Sequence, residues 1–175
     1  MGKLRKAIAY RRLERPYTRK SRYNEYSFVR GAPRCIITRF DMGNPQGDFD
    51  VAVCLISEQD FQLRQNAVES ARKAVIRRLE KGIPKNEFHY RIRPYPHHVL
   101  RENPLGLTAG ADRTSSGMKH AFGKPIGLAA RISKGDIIFE VRTKKQYIDA
   151  VKKAFEVGKT KLPLSYSIKI IPLKN

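Results

Sequence analysis

The stretch between Asn103 and Pro125 places the strongest constraint on how this chain can fold. Its sequence, NPLGLTAGADRTSSGMKHAFGKP, holds four glycines, small polar residues and scattered bases between two segments that are typical of strands. Loops longer than about 12 to 15 residues are uncommon in compact domains unless they are functional or disordered. We therefore predict that residues 103–125 form a long flexible functional loop that extends beyond the body of the fold.

Positive charge is concentrated at the N-terminus. The chain has 36 Lys and Arg against 16 Asp and Glu, a net charge of +20, which indicates a polyanionic partner. Twelve of these bases and only two of the acids lie in residues 1–40. The first thirty or so residues have too few apolar positions to form a core, and the tyrosines among their arginines can stack on nucleic-acid bases. We predict a basic extended arm over residues 1–32 and a single domain over 33–175.

The first half of that domain shows two strand patterns and one helix pattern. Cys35–Phe40 and Phe49–Ile56 are predicted strands, joined as a hairpin through the turn-rich DMGNPQGD. Ser57 and Asp60 form a capping-box pattern, which predicts that a helix begins directly after them. The inward face of this helix would carry Phe61, Val68, Val75 and Leu79.

The second half adds strands and one more helix. The predicted strands are Phe88–Ile92, His97–Arg101, Ile126–Ile132, Ile137–Val141 and a last one from Tyr166 to Ile170. The turn Ser-Lys-Gly-Asp predicts a hairpin between the third and fourth of these. Thr143 repeats the capping-box pattern, and Gly158 would end the helix that follows. The sum is an α+β fold, with two helices packed on a mainly antiparallel or mixed sheet.

The residue pattern argues against several other chemistries. The loop glycines lack the spacing and the Gly-Lys-Ser/Thr ending of a nucleotide-binding loop, since Lys124 precedes a proline. Asp112, Ser115, Ser116 and His120 are catalytic residue types, but their spacing is not a recognised catalytic arrangement. The four histidines lack ligand-spaced partners, and the separated Cys35 and Cys54 suggest neither a disulfide framework nor a zinc site. The N-terminus has no continuous apolar face for a membrane surface. We expect no catalysis, no cofactor, no metal and no membrane partner.

Two motifs carry a resemblance to a known family. FHYRIRPYPHHVLREN, followed by LTAGADRTSSGMKHAFGKPIGLAAR, resembles the L16p/L10e family of large-subunit ribosomal proteins in its archaeal and eukaryal form. The resemblance extends to the arm, to the first helix and to the start of the second, and covers nearly the whole chain. Because the chain stops soon after the final strand, we expect an archaeal-type member.

The resemblance implies a hammerhead-like α/β architecture and a structural, non-catalytic role. Its expected partner is large-subunit rRNA near the A site, with 5S rRNA, neighbouring ribosomal proteins and subunit-maturation factors as further partners. It implies that loop 103–119 points toward the peptidyl-transferase centre and the acceptor arm of P-site tRNA, and that the protein supports translation and late subunit maturation. The expected location is the large ribosomal subunit in the cytoplasm, and we expect a monomer off the ribosome.

Two groups of binding residues are predicted. Residues expected to bind rRNA are Arg5, Lys6, Arg11, Arg12, Arg15, Tyr17, Arg19, Lys20, Arg22, Arg30, Arg34, Arg91, Arg93, His97, His98, Arg101 and Lys124. Loop residues expected on the tRNA side are Gly110, Ala111, Asp112, Arg113, Ser115, Gly117, Met118 and Lys119.

Without the resemblance, composition equally allows an RNA-modifying enzyme, an assembly factor or a free RNA-binding module. The lack of a cofactor fingerprint stands against the first, and the lack of recognition-motif and KH signatures stands against a standard single-strand reader. Only the resemblance names the ribosome.

Overall fold

A computed structural model describes residues 6–13, 21–27, 29, 31–102 and 123–173. Within them the chain forms eight strands and two helices: β1 Asp41–Gly43, β2 Val51–Ser57, β3 Phe61–Arg64, α1 Gln65–Gly82, β4 Phe88–Ile92, β5 His98–Glu102, β6 Lys124–Ile132, β7 Ile137–Thr143, α2 Ile148–Lys159 and β8 Tyr166–Pro172. Short 3₁₀ turns lie at Ala7–Tyr10, Asn24–Tyr26, Lys85–Glu87 and Lys145–Tyr147. The α+β class predicted from the sequence is confirmed.

The strands form two sheets rather than one. A five-stranded sheet has the order β1-β4-β7-β2-β8, and a three-stranded sheet has the order β3-β6-β5. Every pair of neighbouring strands is antiparallel. Side chains from one face of the larger sheet, from the smaller sheet and from both helices share one apolar core, which includes Val53, Phe61, Val75, Phe139 and Phe155.

The two helices pack closely against each other at Gly158 of α2. α1 buries Val68, Ala71, Val75 and Leu79, and α2 buries Val151, Ala154 and Phe155, so each has one apolar stripe. A Cβ added to Gly158 would lie 2.6 Å from Cγ2 of Val75. Gly158 was expected to end the second helix, but it lies inside α2, where it lets α1 approach closely.

The first expected hairpin does not form. Residues 35–39 are not a strand, and β1 pairs with β4 instead of β2, with Met42 opposite Tyr90. A Cβ on Gly43 would lie 2.2 Å from the carbonyl oxygen of Phe88, so this short strand depends on glycine for its approach to β4. Turn residues such as those in DMGNPQGD mark a reversal of the chain, but they do not determine which strands pair.

The second expected hairpin is also wrong. β6 belongs to the smaller sheet and β7 to the larger, so the turn Ser133–Asp136 connects two sheets. The turn is held by its own Asp136, whose Oδ2 accepts a hydrogen bond from Ser133 N at 2.8 Å. It is also held by Asp60, whose Oδ1 accepts from Lys134 N at 2.6 Å. Gly135 has the positive φ of +92° that the sequence pattern anticipated.

Neither capping-box pattern caps a helix. Ser57 and Asp60 flank a turn into β3, so Phe61 lies in a strand and α1 begins only at Gln65, without a side-chain cap. Thr143 lies in β7 and its hydroxyl donates to the carbonyl oxygen of Glu87 at 3.1 Å. Phe61 lies in β3 four positions before α1, and Thr143 lies in β7 five positions before α2. In both places the hydrogen bonds of the sheet outweigh the local capping pattern.

Candidate nucleic-acid interface

One face of the five-stranded sheet carries charged side chains away from the helices. We call it the outer face, and its residues are Asp41, Ala52, Cys54, Ile56, His89, Arg91, Arg93, Glu140, Arg142, Ser167, Lys169 and Ile171. Its centre is a small apolar cluster of Ala52, Cys54 and Ile56 on β2, which is at most 9% exposed. Burial raises the pKa of the Cys54 thiol, and the neighbouring Glu140 acts in the same direction. Arg142 and Glu140 on β7 and Lys169 on β8 lie directly opposite residues of this cluster, which is a packed support between them.

Arg93 and Arg142 are both held by Glu140. Nε and Nη2 of Arg93 each lie 2.6 Å from Oε2 of Glu140, and Nε of Arg142 donates to Oε1 at 2.7 Å. The Glu140 side chain is only 5% exposed, whereas those of Arg93 and Arg142 are 43% and 36% exposed. Burial opposes ionisation of Glu140, but the hydrogen bonds and charges of the two arginines outweigh it and lower its pKa. The two guanidinium groups are thus fixed beside each other at the surface.

Asp41 organises the adjoining part of the outer face. Its Oδ1 lies 3.0 Å from Nε2 of the buried His89 and 3.7 Å from Nε of Arg91. Arg91 is exposed and lies directly opposite Glu140 across the β4–β7 pair. Arg91, Arg93 and Arg142 therefore lie close together on neighbouring strands, and such a cluster suits the phosphate backbone of a nucleic acid.

A hollow of about 450 Å³ lies beside this cluster, between the two sheets. Arg93 and Arg131 line it together with the turn that contains Gly135 and Asp136. The hollow leaves one side of Arg93 open to a ligand.

A second polar centre fixes the basic N-terminal segment to the smaller sheet. The backbone N–H of Gln62 donates to the carbonyl oxygen of Arg11 at 2.8 Å, and its side-chain Nε2 donates to that of Arg12 at 2.5 Å. Oε1 of Gln62 then accepts from Nδ1 of His98. Gln62 is 3% exposed and His98 is 3% exposed, so a buried pair of side chains holds the segment at its backbone. The side chain of Arg12 remains exposed.

His98 does not face outward as expected of an rRNA contact. Burial, assisted by the nearby Arg131, His97 and Arg101, lowers its pKa to about 4. The imidazole is therefore neutral near pH 7, and it hydrogen-bonds the same Gln62 side chain that holds the segment at its backbone. The preceding residue, His97, is exposed, and its Nδ1 lies 3.0 Å from the carbonyl oxygen of Tyr95.

Arg101 and Lys124 mark the two ends of the long connection. Arg101 is half-buried on β5 and faces Pro125 of β6, while Glu102 faces Lys124. Residue 102 and residue 124 are therefore neighbours across one antiparallel pair, which we call the loop root. The predicted tRNA-side residues, Gly110, Ala111, Asp112, Arg113, Ser115, Gly117, Met118 and Lys119, lie outside the described residues, as do Ser116 and His120.

The predicted arm contacts are only partly described. Lys6, Arg12, Arg22 and Arg34 are exposed and Arg11 is half-buried. Arg5, Arg15, Tyr17, Arg19, Lys20 and Arg30 lie outside the described residues. One described contact ties this region further to the body, because the guanidinium of Arg64 lies over the Tyr10 ring at 5.7 Å.

The sequence analysis names Arg91 and Arg93 as candidate binding residues but not Glu140 and Arg142, which lie beside them on the outer face. A signal was present, since these two alternate with Phe139 and Val141 at the period of a strand. The sequence pattern predicts that this strand ends at Val141, whereas β7 continues to Thr143 and so includes Arg142. Their meeting with Arg93 depends on the β4–β7 register, which a single sequence does not specify.

Two structural findings bear on other kinds of function. Among the described residues, no group of three or more His, Cys, Asp or Glu side chains is placed to hold a metal ion. Within the same part of the chain, neither helix is both long enough and apolar enough to cross a bilayer.

Comparison with known proteins gives a consistent result. The family model described as "Ribosomal protein L16p/L10e" matches residues 13–169. A protein of Hyperthermus butylicus named "Large ribosomal subunit protein uL16" is 46% identical over 91% of this chain and 85% of its own length. Proteins of the same name from Metallosphaera sedula and Saccharolobus islandicus are 42% and 44% identical, each over 98% of this chain and at least 94% of their own length.

Proposed function

Because this chain belongs to the ribosomal protein L16p/L10e family, a family of structural rather than catalytic proteins, we propose that it binds large-subunit rRNA near the A site. As a member of that family it is a structural constituent of the large ribosomal subunit. The rRNA would meet the outer face and the basic N-terminal arm. Neighbouring ribosomal proteins are its other partners in the subunit.

The observation that carries this proposal is the row of guanidinium groups on the outer face. Arg91, Arg93 and Arg142 are partly exposed and stand on a rigid sheet, while their acidic partners lie beneath or beside them. Fixed arginines bind phosphate with less loss of side-chain entropy than mobile ones do. The net charge of +20 adds long-range attraction to the same partner.

We further propose that the connection between β5 and β6 reaches toward the peptidyl-transferase centre and the acceptor arm of P-site tRNA. The loop root supports this proposal, because both ends of the connection leave from adjacent strand residues at one edge of the body. A connection rooted in this way can project from the rRNA-bound body without disturbing it. Maturation factors would then sense this connection late in assembly, and 5S rRNA is a further proposed contact of the body.

Deletion of Thr108–Gly117 tests the two halves of this proposal together. We expect the variant that lacks this segment, like the intact protein, to sediment with large subunits on a sucrose gradient at moderate and at high salt. We also expect a lower rate of translation or a lower yield of mature subunits, because the proposed contact with tRNA and maturation factors is lost. Loss of the protein from the subunit peak would contradict the separation of body and loop.

The same gradient separates the ribosomal role from an assembly-factor role. A ribosomal component stays with mature large subunits at high salt, whereas an assembly factor is found only on immature particles. Detection of the intact protein in light fractions alone would reject the proposed function.

A further inference from the structure

Arg93, Glu140 and Arg142 form a unit in which a buried carboxylate holds two surface guanidinium groups. Both oxygens of Glu140 are used, Oε2 by Arg93 and Oε1 by Arg142, at 2.6 to 2.7 Å. The carboxylate comes from the central strand β7, and its backbone is paired on both sides, with Arg91 opposite on β4 and Cys54 opposite on β2. Its position is therefore set by the sheet.

A purely structural ion pair would not need its two arginine side chains to be exposed at the surface. A buried ion pair is weak evidence for stability, because desolvation of the charges offsets their attraction. Here the carboxylate is 5% exposed, but Arg93 and Arg142 keep 43% and 36% of their side-chain surface in solvent. Each guanidinium has five N–H donors, and Glu140 engages only part of each set. The remaining donors stand at the surface in a fixed orientation.

We propose that Arg93 and Arg142 form a phosphate clamp for the backbone of rRNA and that Glu140 is its positioning residue. This inference rests on the proposed function and adds to it the part of the surface that grips the ligand. A guanidinium fork matches the geometry of a phosphate, and two forks held side by side can engage one phosphate or two adjacent ones. The hollow beside Arg93 leaves the clamp accessible from the side of the smaller sheet.

The proposed clamp and the net charge predict opposite effects of neutralising Glu140 on the affinity for RNA. Glu140→Gln removes a negative charge, so simple electrostatics predicts equal or tighter binding to RNA. In the clamp, the neutral amide holds the guanidinium groups less firmly, and one of its two polar groups is a donor that repels them. We therefore expect Glu140→Gln to weaken binding by about 5- to 20-fold, a loss of about 1 to 1.8 kcal/mol.

The measurement is the dissociation constant for deproteinised large-subunit rRNA from an archaeon such as Metallosphaera sedula, taken at 50 and 200 mM salt. Asp149→Asn is the matched control, since it makes the same change of charge on α2, where the Asp149 side chain is 86% exposed. We expect this control to bind as tightly as the unchanged protein. Glu140→Gln binding as tightly as Asp149→Asn would overturn the proposal.

Arg142→Lys provides a second test that keeps the charge and alters only a side chain that is 36% exposed. We expect it to weaken rRNA binding by about 5-fold while the salt dependence stays unchanged, because the charge remains and the fork is lost. In a Glu140→Gln background the same change should have little further effect. Thermal unfolding of each variant checks its fold, and Arg142→Lys decides the matter if Glu140→Gln does not fold.

The outcomes distinguish this inference from the proposed function. Absence of salt-dependent rRNA binding by the unchanged protein would reject both. Normal binding by the unchanged protein and by both clamp variants would reject the clamp alone. Poly-glutamate serves as a competitor, and a variant effect on poly-glutamate binding without one on rRNA would overturn the assignment of the clamp to RNA.

Discussion

His98 shows how a buried polar residue can support a surface segment through a neighbouring side chain. Its imidazole is buried, its Nδ1 donates to Gln62, and Gln62 in turn holds the carbonyl oxygens of Arg11 and Arg12. The proton on Nδ1 follows from this network, because Nε2 of Gln62 is already a donor to Arg12. The hydrogen bond needs only the proton on Nδ1, whereas burial and the nearby positive charges disfavour a second proton on the ring.

Stability should therefore fall in mild acid through His98. Its pKa is lowered from 6.5 to about 4 in the folded protein, so the unfolded chain binds the proton more readily. The contribution to stability is complete above pH 6.5 and is lost as the pH falls toward 4, and it is on the order of 2 kcal/mol. Urea unfolding at pH 7 and pH 4.5 measures it.

His98→Asn is the variant that isolates this contribution, since its amide can donate to Gln62 but does not titrate. We expect the variant to lose part of the stability difference between pH 7 and pH 4.5 that the unchanged protein shows. An identical difference in the two proteins would mean that His98 is not the titrating group.

Some side chains on the outer face could be placed from the sequence and others could not. The alternation in FHYRIR correctly separated the buried Phe88, Tyr90 and Ile92 from the exposed Arg91 and Arg93. The same alternation puts His89 on the outer face, where Asp41 from β1 helps to bury it. Such covering depends on a residue 48 positions away in the chain, and local periodicity carries no information about it.

At the scale of elements, the helix pair depends on the missing side chain of Gly158. Gly158→Ala improves helix propensity by about 1 kcal/mol, but the new Cβ would lie 2.6 Å from Val75 Cγ2. Overpacking a core typically costs about 1 to 3 kcal/mol, so we expect net destabilisation of about 1 kcal/mol. The midpoint of chemical denaturation is the measurement.

Two comparison variants make this test specific. Gly82→Ala, at the end of α1, places its Cβ at an ordinary 3.6 Å from Ala150 Cβ and should not destabilise. Adding Val75→Ala to Gly158→Ala removes the clash, so the double variant should be less destabilised than the sum of the two single ones. Additive effects would show that the close approach is not the cause.

Elements were predicted more reliably than their connections. α1, α2, β4, β5, β6 and β8 are near their expected positions, because each has a run of residues with a clear period. Both hairpins and both capping boxes were wrong, since each depends on what the chain meets in three dimensions. β3 is the clearest case: FQLR looked like the first turn of a helix, but it pairs with β6 through Phe61 opposite Ile132.

At the scale of the whole molecule, removal of residues 1–30 should separate folding from RNA binding. Among the described residues, the buried side chains of the main apolar core run from Ile37 to Tyr166, so the truncated chain should still unfold cooperatively. It should be less stable by about 1 to 3 kcal/mol, because the buried Gln62 loses its backbone partners at Arg11 and Arg12. Circular dichroism during heating measures both properties.

The same truncation should lose most of its affinity for rRNA and most of its salt dependence. An arm that makes about eight phosphate contacts makes affinity fall by roughly 10⁴ between 50 and 200 mM salt. The truncated protein should show a much shallower decrease, measured by filter binding over that range. A truncation that does not fold would contradict the division into arm and domain.

The loop root allows the length of the connection to vary independently of the fold. Glu102 and Lys124 are already paired neighbours, so the sheet closes whatever number of residues lies between them. Each doubling of a loop costs only about 0.6 kcal/mol of closure entropy. The length of this connection can therefore change during evolution to match the distance that the connection has to span. A peptide tag could likewise be inserted there without redesigning the body.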